Sequence, residues 1–288
     1  MTSRGEMESN RSYAVGVDVG GTKIAIGIVN DSGSVKEQMI LQTNKEKDPN
    51  KMIGYMAQSI QKLLDTARVS VEQLAGIGIG APGPLDVKTG VISCPPNLPS
   101  WVDVPVVEAF KRKFSVPIVL DNDANAAALA EKRYGEAQEN ESFVYLTIST
   151  GIGAGLYLDG KLVSGSRGNA SDIGHTVIDP SYGTCTCGPK GCFEWIASGT
   201  AIARRASELR GPPPYNQTSL CFVQCRRCQD CAICGTSVYI YRSWMCHTHQ
   251  SVWSGEIVIG GGVSEVGDPL FLPYRIMPTA FGRKFVCS

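Results

Sequence analysis

Two short stretches of this 288-residue chain combine glycines with hydroxyl and charged side chains in the manner of anion-binding turns. The first is Asp18-Val19-Gly20-Gly21-Thr22-Lys23, set between the apolar runs 13–17 and 24–29. The second is Ser149-Thr150-Gly151-Ile152-Gly153-Ala154-Gly155, directly after the apolar run 143–148. Each reads as a strand, a tight glycine turn and a returning strand, and a glycine without Cβ lets backbone N–H groups come close to an anion. One such loop is weak evidence. Two, each with a hydroxyl residue beside its glycines, suggest one triphosphate gripped from two sides. Between them Asp123 follows the strand-like run 116–120 and opens an alanine-rich stretch. A carboxylate there can take a hydroxyl proton while the oxygen attacks phosphorus, and it can also serve as a helix N-cap. A third group is His175, Cys185, Cys187 and Cys192, with Gly188 and Gly191 among the cysteines. One imidazole and three thiolates make the closed tetrahedral shell of a structural zinc site, although Cys187 alone would read as a small buried hydrophobe.

These residues need a frame to hold them. Residues 13–17, 24–29 and 35–41 read as consecutive strands, divided by turns at Gly20-Gly21 and at Asn30-Asp31-Ser32-Gly33. Ile53, Met56, Ile60, Leu63, Leu64 and Ala67 then recur at helical spacing. A strand over 75–81 ends in the Pro82-Gly83-Pro84 turn, and a helix near 106–114 and a strand over 116–120 follow. Residues 122–134 read as a helix, 143–149 and 153–158 as a second hairpin, and 192–209 as one further helical stretch. An antiparallel meander followed by strand–helix alternation argues for an α/β fold.

Asp18-Val-Gly-Gly-Thr-Lys23, Gly80-Ala-Pro-Gly-Pro84, Leu120-Asp-Asn-Asp-Ala-Asn125, Ser149-Thr-Gly-Ile-Gly-Ala-Gly155 and Cys185-Thr-Cys-Gly-Pro-Lys-Gly-Cys192 together resemble the ROK family of sugar kinases and sugar-responsive repressors. The likeness runs from Tyr13 to about Leu209 and resumes at Glu256-Ile-Val-Ile-Gly-Gly-Gly262. It implies two actin-like lobes of ribonuclease-H type with a cleft between them: a tail over 1–12, a first lobe over 13–121 and a second over 122–288. It further implies an ATP-dependent hexose kinase, with glucokinase as the leading reading. N-acetylmannosamine, N-acetylglucosamine, fructose and allose kinases are the nearest alternatives, and a homodimer or homotetramer is the implied assembly.

The resemblance also distributes roles. Asp123 becomes the base and Asn122 a ligand of a sugar hydroxyl. Asp18 orients hydrated Mg²⁺, while Gly20, Gly21, Thr22 and Lys23 hold phosphate oxygens; a solvated turn is the plainer reading of Asp18 and Lys23. Thr150, Gly151 and Gly153 take the equivalent place in the second loop, and Gly261 and Gly262 line the adenine–ribose side. Gly83, Asn97 and Asp103 close over the sugar, although Asn97 among prolines also suits an ordinary turn. Asp172, His175 and Glu194 resemble sugar-hydroxyl ligands, with the zinc shaping their loop and doing no chemistry. Asp172 departs from the family pattern, in which Glu is common at this place, so its reach is one methylene shorter.

Composition narrows the classes. The 27 basic and 27 acidic residues cancel, so there is no electrostatic footprint for nucleic acid. No run approaches the ~18 consecutive apolar residues of a membrane span. Residues 1–11 are polar and lack the apolar core of a secretion signal, and cysteine clustering in the 185–192 segment is metal-like usage in a reducing compartment. A cytoplasmic protein is expected. The residues before Tyr13 are neither basic nor periodic, so a repressor's helix-turn-helix is not expected there.

The chain changes character over 212–253. Helical periodicity vanishes, and Cys221, Cys225, Cys228, Cys231, Cys234 and Cys246 crowd together. A metal or iron–sulfur insert, an ordinary structured insertion and out-of-frame translation all compete. The abrupt onset, and the abrupt return of a family-like motif at Glu256, favour the last. An inactive kinase remnant is the reading that follows if this region cannot pack.

Overall fold

The structure is a computed structural model that describes residues 11–43, 48–210, 256–263, 276–278 and 283–285. The stretch 212–253 lies outside the described residues.

The chain forms two compact units. The first comprises residues 1–126 together with Ser164–Ala170, and the second comprises 127–163 and 171–288. The division therefore falls inside a helix, after Ala126 and not before Asn122, and a short strap of later sequence belongs to the first unit.

In the first unit, β1 (Tyr13–Val19), β2 (Lys23–Asn30) and β3 (Val35–Gln42) form the expected meander. Val15, Val17 and Val19 alternate inward on β1, as do Ile24, Ile26 and Ile28 on β2, which is the period-2 signature of a half-buried strand. Helix α1 (Pro49–Ala67) covers this face. The Asp48 carboxylate accepts from the Asn50 N–H at 2.9 Å, Pro49 occupies the first turn, and Arg68 ends the helix at φ 53°. Met52, Ile53, Met56, Ile60, Leu63 and Leu64 form its buried stripe.

β4 (Leu74–Ala81) joins β1 in parallel, and β7 (Ile118–Asn122) joins β4 in parallel, giving the order β3-β2-β1-β4-β7. Between β4 and β7 lie the two-residue strands β5 (Leu85–Asp86) and β6 (Val91–Ile92) and the helix α2 (Val106–Lys111), which stops short of the expected 114. The register matters for chemistry: Asp18 pairs with Gly80, Gly80 with Asp121 and Ala81 with Asn122. The carboxyl ends of β1, β4 and β7 therefore lie side by side, where open α/β sheets bind ligands. Helix α3 (Asp123–Tyr134) begins immediately after β7.

The second unit repeats the device. β8 (Phe143–Ile148) and β9 (Ile152–Leu158) form an antiparallel hairpin, β10 (Lys161–Leu162) pairs with β9, and β11 (Glu256–Gly260) adds in parallel to β8. β13 (Arg283–Phe285) and β12 (Ile276–Pro278) complete the order β10-β9-β8-β11-β13-β12. Val144, Leu146, Ile148, Phe193, Ile196, Ile257 and Ile259 supply its core. The stretch 192–209 is two helices, α4 (Phe193–Ala197) and α5 (Gly199–Arg210), and not one. Ser198 between them is extended, at φ −65° and ψ 162°, and its Oγ accepts from the Ala201 N–H at 3.1 Å. A serine that caps the second helix interrupts the first.

Among the described residues no helix is long and apolar enough to cross a membrane.

Candidate active site

In the first unit the turn between β1 and β2 is held by its own backbone. The Gly20 N–H donates to the Lys23 carbonyl at 3.0 Å, the Thr43 N–H to the Thr22 carbonyl at 2.9 Å, and the Thr43 hydroxyl to the Gly20 carbonyl at 2.7 Å. Thr43 was not singled out from sequence, because its role depends on β3 returning beside β2. Gly21 faces the loop that carries Asn97. A Cβ on Gly21 would lie 2.8 Å from the Asn97 Cβ and 2.9 Å from its carbonyl oxygen, so only glycine allows these loops to meet.

Asp123 sits at the start of α3, solvent-exposed, and its Oδ1 lies 2.8 Å from the Ala124 N–H. The Asn122 Oδ1 accepts from the N–H groups of Ala124 and Asn125, at 2.9 and 3.4 Å. With that oxygen committed to the helix, the Nδ2 lies toward Gly83, 3.7 Å from where a Cβ on Gly83 would stand. A hydrogen-bond donor, a carboxylate and a half-buried glycine therefore share one end of the sheet.

Asp18 closes β1 at the same end. Asp18 is exposed as a residue, yet partial burial of its carboxylate is the chief cause that raises its pKa above the ordinary 3.8. The Asp123 charge adds to the rise and Lys23 opposes it. The folded chain thus holds this proton more tightly than the unfolded chain. The contribution of Asp18 to stability consequently falls as pH rises from 3.8 through the raised value. In Mg²⁺-free buffer, Asp18→Asn is expected to melt above the parent at about pH 7 and to lose that advantage near about pH 3. Equal melting temperatures at neutral pH would show that the folded chain does not disfavour the Asp18 charge.

In the second unit the β8–β9 turn is clamped by Glu194. The Ile152 N–H donates to the Glu194 Oε2 at 2.8 Å, and a Cβ on Gly151 would stand 2.4 Å from that oxygen. Gly153 lies in β9 opposite Thr147. The first N–H groups of α5 reach the same turn: Gly199 donates to the Ser149 carbonyl at 2.8 Å and Thr200 to the Thr150 carbonyl at 3.4 Å. Gly261, at φ +87°, and Gly262 follow β11, and the Val263 N–H donates to the Ile148 carbonyl at 3.0 Å. Turn, helix N-terminus and glycine bend thus converge at the end of β8. The part taken by Ser198 and α5 was not read from the sequence.

His175 and Cys185, Cys187 and Cys192 come together in this unit, their ligand atoms all within 4.8 Å of one another. The Cys187 and Cys192 sulfurs lie 3.5 Å apart, and the His175 Nδ1 and Cys185 sulfur 3.8 Å apart. Bonds of about 2.3 Å to one tetrahedral zinc set ligand–ligand edges of about 3.8 Å, so the donors fit that ion. A tight hairpin presents them, with the Cys185 N–H on the Pro189 carbonyl, the Gly188 N–H on the Cys185 carbonyl, and Gly188 and Gly191 at φ +108° and +75°. Crowding opposes joint ionisation. Burial, followed by the neighbouring sulfurs, pushes Cys192 up to about 12. Burial and Cys185 raise Cys187. Cys185 is itself buried, but the N–H and thiol of Cys187 and the His175 ring lower it. Full deprotonation needs a cation among the sulfurs. Burial works against charging His175, but Asp172, the Cys185 contact and Glu194 together raise its pKa.

A family profile described as the ROK family matches residues 14–274. The chain is 32% identical to a glucokinase of Thermotoga maritima, over 93% of this chain and 89% of that protein. Among solved structures it resembles a ROK hexokinase from Thermus thermophilus, at 34% identity and a TM-score of 0.75, with 88% of this chain and 83% of that one covered. It also resembles a ROK family glucokinase from Streptomyces griseus in complex with glucose and AMPPNP, at 26% identity and a TM-score of 0.75, with coverage of 90% and 86%. The two units thus share the actin-like α/β fold of these sugar kinases, and the chain belongs to the ROK family.

Proposed function

We propose that this chain is an ATP-dependent hexose kinase that transfers the γ-phosphate to a hydroxyl of glucose, giving glucose 6-phosphate. The observation that carries the reading is the grouping of Asp123, the Asn122 Nδ2 and Gly83 at the carboxyl ends of β4 and β7, beside Asp18 and the Gly20–Lys23 turn.

Each residue then has a task. The Asn122 Nδ2 donates to a sugar hydroxyl and, with Gly83 and Asn97, fixes where the sugar ring lies. Asp123 accepts the proton of the attacking hydroxyl, at the moment its oxygen bonds to phosphorus and the bond to the leaving phosphate breaks. The backbone N–H groups of the first turn, with Thr22 and Lys23, hold phosphate oxygens. In the second unit Thr150, Gly151 and Gly153 do the same, and Gly261 and Gly262 leave room for the nucleoside. Asp18 is the carboxylate that would face Mg²⁺ bound with ATP, and the ion would supply neutralisation of phosphate charge. Asp172, His175 and Glu194 bind further sugar hydroxyls. His175, Cys185, Cys187 and Cys192 hold one structural zinc that shapes their hairpin.

The test is a coupled assay for glucose 6-phosphate with ATP and Mg²⁺, run beside N-acetylmannosamine, N-acetylglucosamine, fructose and allose. Glucose is expected to give the highest kcat/KM. A higher value for another sugar would reassign the substrate. Glucose binding without turnover would mark a sugar-binding regulator or an inactive remnant.

A further inference from the structure

The strap Ser164–Ala170 is fastened to the segment that follows Gly83. Asn169 bonds to Leu85 in both directions: its Nδ2 donates to the Leu85 carbonyl at 2.8 Å, and its Oδ1 accepts from the Leu85 N–H at 3.3 Å. One primary amide thus stands in for a neighbouring strand, satisfying the donor and the acceptor of one residue at once. The same Oδ1 lies 3.2 Å from where a Cβ on Gly83 would stand, beside the Asn122 Nδ2. Three more contacts hold the strap in register. The Val87 N–H donates to the Arg167 carbonyl at 3.0 Å, the Arg167 guanidinium lies 3.9 Å from the Asp86 carboxylate, and the fully buried Asn125 donates from Nδ2 to the Gly168 carbonyl at 3.3 Å. Gly168 is itself required: its φ is +101°, and a Cβ there would stand 2.4 Å from the Val87 Cγ1.

We infer that Asn169 is a positioning residue of the sugar site: its side-chain amide clips Leu85 and thereby sets the height of the Gly83 backbone against the Asn122 Nδ2. This rests on the reading of Gly83 and Asn122 as sugar ligands. The clip explains why a segment of later sequence is built into the first unit, and it places a second amide beside Asn122 at Gly83. Since Leu85 is buried and Gly83 is two residues away, loss of the clip is felt as a displaced contact surface for the sugar and not as loss of the base.

The test uses the full chain and measures glucose and ADP affinity by titration calorimetry, with kcat measured separately. Asn169→Ala is expected to weaken glucose binding by about tenfold, the scale of one displaced hydrogen-bonded contact. ADP affinity and kcat at saturating glucose should stay within about twofold. Asn169→Asp keeps the acceptor for the Leu85 N–H but puts a carboxylate oxygen against the Leu85 carbonyl, and protonation would restore the lost donor. Its glucose affinity relative to the parent should therefore recover as pH falls from about 8 to about 5.5. Glucose affinity within twofold of the parent in both variants would overturn the inference, as would an equal loss for glucose and ADP. If the parent itself binds no hexose, it is the sugar-kinase reading that fails.

Discussion

Asp123→Asn is expected to lower kcat by about 10²- to 10⁴-fold, the range associated with removal of a general base. The argument depends on what the substitution leaves alone. Asparagine caps a helix about as well as aspartate, and its amide oxygen can take the place of the Oδ1 that lies beside the Ala124 N–H. Asn122 stays bonded to the start of α3 through its own Oδ1, so its Nδ2 still faces Gly83. Removing the Asp123 charge also relieves Asp18, so the variant should be no less stable than the parent at neutral pH. Glucose affinity measured by calorimetry should change by less than about threefold, which places the loss in the chemical step. Turnover within a few-fold of the parent would remove Asp123 from the role of base.

Chelating the zinc proposed for the His175–Cys192 hairpin is expected to destabilise the second unit by several kcal/mol and to lower the melting temperature by about 10 °C or more. Cys192→Ser should do the same. The reason lies in how much hangs on the hairpin. The Ile178 N–H donates to the Gly191 carbonyl and the Phe193 N–H to the Thr176 carbonyl, so both flanks of the loop close across Cys192. Phe193 is fully buried in the core beneath, and the next residue, Glu194, carries the bond to Ile152. Without a cation the sulfurs cannot all be thiolates, with Cys192 held up at about 12, and the hairpin loses its centre. Glucose affinity should fall in parallel, since His175 and Glu194 lose their fixed positions. Elemental analysis of the parent should find about one zinc per chain, with none in Cys192→Ser. Iron with visible absorbance would point instead to the run Cys225–Cys234, which lies outside the described residues.

Much of this arrangement was legible in the residues because its signals are local. Strand periodicity over 13–19 and 23–30, the glycine turns, and the crowding of Cys185, Cys187 and Cys192 each depend on neighbours in sequence. What stayed hidden depends on partners far along the chain. Thr43 matters only because β3 brings it back to Gly20, and Asn169 only because its strap lies against Leu85. Ser198 was hidden for another reason. Alanines on both sides sustain a helical pattern, and the break at Ser198 comes from a cap and from the contact of Gly199 with the Ser149 carbonyl. Helix propensity loses there to a tertiary hydrogen bond.

The strap also bears on how this protein can be taken apart. A fragment ending at Ala126 contains every strand of the first sheet, yet it lacks Ser164–Ala170. Such a fragment would leave the Leu85 N–H and carbonyl, the Val87 N–H and one bond of the buried Asn125 amide without their partners, and unpaired buried polar groups are costly. Severed halves would therefore not be self-sufficient modules. The first would need a heptapeptide of the second supplied in trans, and a circular permutation opened within 164–170 would be worse tolerated than one opened at the exposed Asp159-Gly160 turn.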